Sequence, residues 1–372
     1  MQAVNPHFPE SGRIRDSRSG QTWRVDLGRL TCFQRWFRSS LRAKETVAAP
    51  SELLMQDAVM ESSTMDRVDG NCESIVESTT GQDVHAAYDG SNVLFRLLRM
   101  ISWGPGLMNL GYFRFRGPFA FLNLLINLEN TQRRLVGKSI ELLDVKGAQK
   151  ILDVACGRGK SSFMMHCLNP EATIVGLDLL QRNIDVARLL FGCSPRLSYE
   201  NGNAMHLEFE SGSFDRVQCL EAAFHFPDRS RFLQEAFRVL KPGGRMVVVD
   251  FAWRQPEDRK CLEDPETRLV RDIWQWDDLY DVEEYKREAR NAGFKEVETV
   301  DWSDRVTAPF QATFESLLAV RKRPWLRRRV LGVNPLLNSL SEDDWKQLEE
   351  IAKAHDYVRR RSQYMAFVFT KG

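Results

Sequence analysis

Residues 151–162 read Ile-Leu-Asp-Val-Ala-Cys-Gly-Arg-Gly-Lys-Ser-Ser, an apolar run carrying Asp153 that then turns on Gly157 and Gly159. A second apolar run, Thr-Ile-Val-Gly-Leu-Asp-Leu-Leu at 173–180, holds Asp178, twenty-five residues after Asp153. An apolar strand, a glycine turn, a helix and a second strand tipped by an acid make a βαβ unit that grips an adenosine-containing cofactor. Spacing separates the nucleotide sites that share this outline. A phosphate-binding P-loop needs a glycine five residues before Gly159-Lys160-Ser161, and that position is Val154, so the P-loop fails. A dinucleotide fingerprint anchored on Gly157 and Gly159 needs a third glycine at 162, where the chain has Ser162.

What remains, an acid followed by Ala155, Cys156, Gly157, Arg158 and Gly159, resembles the first motif of the class I S-adenosylmethionine-dependent methyltransferases. Three further stretches fall into the order of that family. Residues 200–217, ENGNAMHLEFESGSFDRV, resemble the segment that covers the adenine and the phrase opening the fourth strand. QCLEAAFHFPD at 218–228 resembles that strand and the loop that receives the reacting substrate. FLQEAFRVLKPGGRMVVVDF at 232–251 reads as a helix, a Pro-Gly-Gly turn and a fifth strand. The resemblance spans roughly residues 88–372 and is strongest between 148 and 253. It implies an α/β fold with a Rossmann-like seven-stranded sheet whose last strand is antiparallel, plus a helical N-terminal lid and an inserted cap.

The resemblance also implies roles for individual residues. Tyr112, Asp153, Ala155, Gly157, Gly159, Asp178, Leu179, Asn203, Ala204 and Leu220 fall at the positions that hold S-adenosylmethionine. Asp153 organises the turn or meets the methionyl ammonium. Asp178, just past the second strand, can accept from both ribose hydroxyls, a pairing a neutral side chain makes less well. The family's adenine-facing Asp is Asn203 here, whose carbonyl still accepts from the adenine amino group at about the ordinary 1 kcal/mol. The lid turn, commonly His-x-Gly-Tyr-Trp, reads Asn109-Leu110-Gly111-Tyr112-Phe113, which implies a contact from Tyr112 to the cofactor's carboxylate.

Methyl transfer from a sulfonium is an in-line displacement, and a hydroxyl acceptor must also lose a proton. His225 is the candidate base, because imidazole titrates near neutrality. Glu221 is the second catalytic candidate, facing either the methionyl end or the substrate. The Leu-Glu-Ala-Ala-Phe-His-Phe-Pro-Asp phrase most resembles bacterial enzymes that O-methylate macrolide sugars and related secondary metabolites. Ubiquinone-, tocopherol- and sterol-type C-methyltransferases share much of it, so methylation of carbon in such an acceptor is the alternative. From other classes, an NAD(P)-dependent Rossmann oxidoreductase and a non-catalytic cofactor-binding protein stay open.

Composition sets bounds around this reading. With 372 residues, 43% of them hydrophobic, the chain can bury a large core and form two or three units. A net charge of +1 argues against a nucleic-acid binder. Seven cysteines without a Cys-x-x-Cys pair or a His/Cys cluster give neither a disulfide framework nor a metal site. Polar residues Glu10, Arg13, Arg15 and Asp16 stand where a secretion signal needs an apolar core, and no stretch nears the roughly 18 apolar residues of a membrane span. A cytoplasmic enzyme with a small-molecule acceptor and no stable membrane insertion is expected; a homodimer is compatible with the sequence.

Four segments are expected: a poorly ordered extension at 1–85, a helical lid at 86–147, the cofactor-binding core at 148–253, and cap insertions with the last two strands at 254–372. Near Trp36–Leu41, Arg35, Arg38 and Arg42 suggest a short amphipathic helix, with a solvated extension preferred. Residues 119–145 read as one helix, and Lys160 reads as solvated. Residues 273–293 read as one helical segment ended by Gly293. The basic run RKRPWLRRRV at 321–330 reads as a solvated face paired with acids such as Glu342 and Glu349.

Overall fold

A computed structural model of the chain describes residues 92–101, 107–125, 128–192, 194–323, 337 and 339–372, with two short strands nearer the N-terminus. Two compact units result, Met1–Ser78 and Thr79–Gly372. Within the first, β1 (Ser11–Arg15) and β2 (Thr22–Asp26) pair antiparallel, Arg13 opposite Arg24. The helix expected near Trp36 lies outside the described residues, as do residues 324–330 of the basic run.

The second unit begins with α1 (Val93–Ile101) and α2 (Leu128–Leu143). Its core then alternates β3 (Lys150–Val154), α3 (Lys160–Leu168), β4 (Thr173–Asp178), α4 (Gln181–Phe191), β5 (Leu197–Asn201) and β6 (Phe214–Leu220). α5 (Arg229–Val239), β7 (Leu240–Trp253), α6 (Pro265–Trp274), α7 (Val282–Ala292), β8 (Glu296–Asp301), α8 (Thr307–Arg321), α9 (Glu342–Arg359) and β9 (Ser362–Thr370) follow. Seven strands form one sheet in the order β5-β4-β3-β6-β7-β9-β8, with β3 to β7 parallel and β9 antiparallel to both neighbours. This is the expected seven-stranded α/β sheet with its last strand reversed.

Alternation along the strands sends side chains into two apolar layers, one on each face. Ile151, Val247 and Val249 join Leu135, Val136 and Ile140 of α2 on one side. Leu152, Met246 and Val248 join Phe232, Leu233 and Ala236 of α5 on the other. With both faces covered, β3 has to be apolar nearly throughout, so Asp153, buried within it, stands out as a polar residue needing partners.

Local chemistry moved three boundaries from where the sequence set them. The expected helix at 119–145 is a 3-10 turn over Gly117–Leu125 followed by α2. The segment at 273–293 breaks because Gln275 takes a left-handed conformation (φ 50°) and Asp281 starts α7 with a capping box to Glu284. β7 runs through Pro242-Gly243-Gly244, where the sequence suggested a separate turn. No helix among the described residues is long and apolar enough to cross a membrane.

Candidate active site

The chain starts its parallel sheet at β3, builds outward to β4 and β5, then returns to place β6 on the other side of β3. This reversal opens a crevice beyond the carboxyl ends of β3 and β6, where α/β sheets bind ligands. The residues closing those two strands, Ala155 and Glu221, both hold positive φ, 54° and 50°. Such strain in non-glycine residues persists only where the surroundings enforce it, and it clusters at functional sites.

Asp153 supplies part of that enforcement. Ser161 Oγ and Ser162 Oγ donate to one carboxylate oxygen at 2.5 and 2.6 Å, and Gln218 Nε2 donates to the other at 3.1 Å. Gln218 lies directly opposite Asp153 in the β3–β6 register. The acid thus ties β3 to the first turn of α3 and to β6, the turn-organising arrangement, while burial pushes its pKa above the usual carboxylate value.

The two turn glycines do different work. A Cβ on Gly157 (φ 55°) would meet only Met108 Cε, at 3.5 Å, so its absence leaves the cavity wall open. On Gly159 (φ 82°) it would lie 2.6 Å from Tyr199 Cε1 and 2.7 Å from Ala187 Cβ. Gly159 therefore admits the Tyr199 ring, whose hydroxyl donates to the Gly159 carbonyl at 2.8 Å, and it does not line the cavity as the sequence suggested. Lys160 is corrected too: it is buried and pairs with Glu129 of α2.

At the end of β4, Asp178 accepts from the Gly157 amide at 2.8 Å through one oxygen. Its other oxygen accepts from the Leu180 amide and Asn183 Nδ2, each at 3.0 Å. A carboxylate offers about four lone-pair positions, so the oxygen facing Gly157 retains acceptor capacity beside the cavity. Asn203 Oδ1, expected at the adenine, accepts from the Met205 amide at 2.9 Å and shapes the adenine-segment turn. Ala204 is buried in the wall, while Leu179 is 61% exposed at the cavity edge.

Glu221 is tied to the lid. The Leu110 amide donates to both of its oxygens at 3.1 Å, and the Tyr364 hydroxyl of β9 donates to one. Desolvation is the main cause that raises its pKa to about 8. Tyr112, two residues on, stays out of the cavity wall: its ring meets Trp302 edge-on at 5.7 Å, its amide donates to the Thr131 carbonyl at 2.8 Å, and Leu107, Met108 and Asn109 line the cavity instead.

His225 closes the 3-10 turn Ala223–His225. Its Nδ1 is 2.9 Å from the Gln275 carbonyl, which can only accept, so Nδ1 carries the proton and Nε2 the lone pair. Desolvation lowers the imidazole pKa to about 4, which keeps it neutral. Sequence reading missed both residues that fix this loop. Gln275 turns its carbonyl inward from the strained position after α6. Buried Arg229 donates to the Ala223 carbonyl at 3.0 Å and to that of Asp278, with its guanidinium 4.6 Å over Tyr280. The signal for Arg229 was a cation just past Pro227-Asp228, too weak to separate from a solvated helix start.

These groups surround a cavity of about 420 Å³, within the usual size of small-molecule sites. Of the expected site residues, Asp153, Ala155, Gly157, Asp178, Leu179, Asn203, Ala204, Leu220, Glu221 and His225 line it. Asn109 Oδ1 is buried in the lid wall with no hydrogen-bond partner among the described residues. An orphan acceptor of this kind costs about 1–3 kcal/mol unless a ligand donates to it. The wall thus offers an acceptor at Asn109, a carboxylate at Asp178 and apolar surface at Leu179 and Ala204, chemistry that fits an adenosine-containing cofactor with an ammonium end.

Fold and cavity define an α/β protein with a small-molecule site beyond the carboxyl ends of its central strands. A family described as methyltransferase domain matches residues 152–248. The chain is 32% identical to the methyltransferase GfsG of Streptomyces halstedii over 190 residues, 49% of this chain and 66% of that protein. It is 28% identical to the O-methyltransferase resE of Aspergillus sclerotiorum over 230 residues, 61% of this chain and 81% of that protein. Its fold is similar to a geranyl diphosphate C-methyltransferase structure from Streptomyces coelicolor, with S-adenosyl-L-homocysteine bound, at a TM-score of 0.57 and 15% identity, covering 78% of this chain and 96% of the other. The chain belongs to the class I S-adenosylmethionine-dependent methyltransferases.

Proposed function

We propose that this protein methylates a hydroxyl group on a small, partly apolar metabolite, with His225 as general base. The observation that carries the reading is the hydrogen bond between His225 Nδ1 and the Gln275 carbonyl, which leaves the Nε2 lone pair on an imidazole in the cavity wall. Oxygen as acceptor draws support from relatives named as O-methyltransferases, among them resE and an erythromycin 3''-O-methyltransferase.

When bound, S-adenosylmethionine supplies a methyl group on a positively charged sulfonium. Asp178, its carboxylate fixed by the Gly157 amide, holds the ribose side, and Asn109 holds the ammonium end. Glu221 pins the lid through the Leu110 amide, which keeps water from the reacting atoms. As the acceptor oxygen bonds to carbon its proton becomes strongly acidic, so a base with a pKa near 4 suffices, and that proton passes to Nε2 of His225. Glu221 serves as a positioning residue, because both its oxygens are engaged by Leu110 and Tyr364.

The test is His225→Ala, after mass-spectrometric screening of metabolite pools for a methylated product of the purified protein. Turnover should fall about 10²–10⁴-fold, with S-adenosylhomocysteine affinity unchanged by calorimetry. Unchanged turnover would remove His225 as base.

A further inference from the structure

Phe224 and Trp276 line the main cavity and also a second, smaller one of about 70 Å³ behind them. Val270 of α6, Leu279, Phe251 and Phe310 give this second space apolar walls. Trp274 contributes its ring while its indole N–H is satisfied by His355 Nε2 at 2.9 Å. A space of this size holds two or three heavy atoms, taking roughly 30 Å³ for each water-sized group.

Thr307, Gln311, His355, Arg359 and Ser362 also line this recess, so it is mostly but not wholly apolar. Placing a carbon group against mostly apolar walls removes apolar surface from water and is favourable. The recess sits one ring away from the proposed base: the Phe224 and His225 ring centres are 4.1 Å apart. A molecule presenting its hydroxyl to His225 therefore has Phe224 beside it and the recess beyond.

We infer that the small cavity is a subsite for an uncharged apolar arm of two or three carbon atoms on the methyl acceptor. The acceptor class is then a hydroxylated ring or chain bearing a short alkyl branch. This inference rests on the methyltransferase reading above and deepens it.

The probes are 4-alkylphenols, titrated by calorimetry into the full chain saturated with S-adenosylhomocysteine. Affinity should rise about fourfold per methylene from 4-methyl to 4-propylphenol, then level off once the cavity is full. Val270→Phe fills the space and should abolish the chain-length gain while leaving S-adenosylhomocysteine binding unchanged. Val270→Ala, which adds room at the same position, should extend the gain by about one methylene. A flat response in the wild type, or a gain that both variants leave unaltered, overturns the subsite. Failure of S-adenosylhomocysteine itself to bind would instead overturn the methyltransferase reading beneath it.

Discussion

Glu221→Gln should convert a pH-dependent fold into a less dependent one. In the wild type the carboxyl lies between the Leu110 amide and the Tyr364 hydroxyl, and burial lifts its pKa from 4.5 to about 8. Below pH 4.5 the folded and unfolded chains both hold this proton and stability is complete. Between 4.5 and about 8 the unfolded chain releases it while the folded chain keeps it, so stability falls as pH rises. At 1.36 kcal/mol per pKa unit the full loss approaches 5 kcal/mol, roughly, and is an upper limit because the carboxyl borders the cavity and gains some solvation there. Glutamine keeps the shape, has no proton to lose, and should cost about 1 kcal/mol at pH 5 through weaker hydrogen bonding. Asp250, also raised by burial, to about 6, titrates in both proteins, and its charge is one of the causes that raise Glu221 in the wild type. Urea denaturation followed by tryptophan fluorescence at pH 5, 7 and 9 measures the difference between the two proteins. The variant should be the more stable protein at pH 9; parallel profiles across the three pH values would refute the argument that Glu221 is held protonated in the fold.

The two turn glycines should separate folding from binding. Gly159→Ala combines left-handed strain with contacts of 2.6 and 2.7 Å to Tyr199 and Ala187, costing about 2–5 kcal/mol by chemical denaturation. Gly157→Ala carries only the strain, about 1–2 kcal/mol, but places its methyl at the cavity wall and should weaken S-adenosylhomocysteine binding in calorimetry. Asp178→Asn should raise the S-adenosylhomocysteine Kd about ten- to a hundredfold, because charge-assisted acceptance of the ribose hydroxyls is lost. With His225 lowered to about 4, its contribution to turnover should stay flat from pH 8 to about 5 in stopped assays; an inflection near 6.5 that vanishes in His225→Ala would contradict a neutral, buried imidazole.

The parts of this molecule that could be read from its sequence are those whose cause is local. β3 and β4 announce themselves as apolar runs because both faces of the sheet are covered, and Asp153 and Asp178 stand out as acids inside such runs. The same locality explains the errors. A glycine in the motif looks identical whether it borders an open cavity, as Gly157 does, or admits a tyrosine ring from another strand, as Gly159 does. Lys160 reads as solvated because its partner, Glu129, lies 31 residues upstream on α2. The Glu221–Tyr364 bond joins residues 143 apart, and only the antiparallel return of β9 beside β7 brings them together. Gln275 has no compositional mark of the left-handed conformation it adopts, yet its carbonyl selects the tautomer of His225. The cofactor grip, confined to one βαβ unit and the segments beside it, was therefore visible as a spacing pattern. The chemistry at its rim depends on contacts between the lid, the cap and the reversed strand, and no pattern within a single segment encodes them.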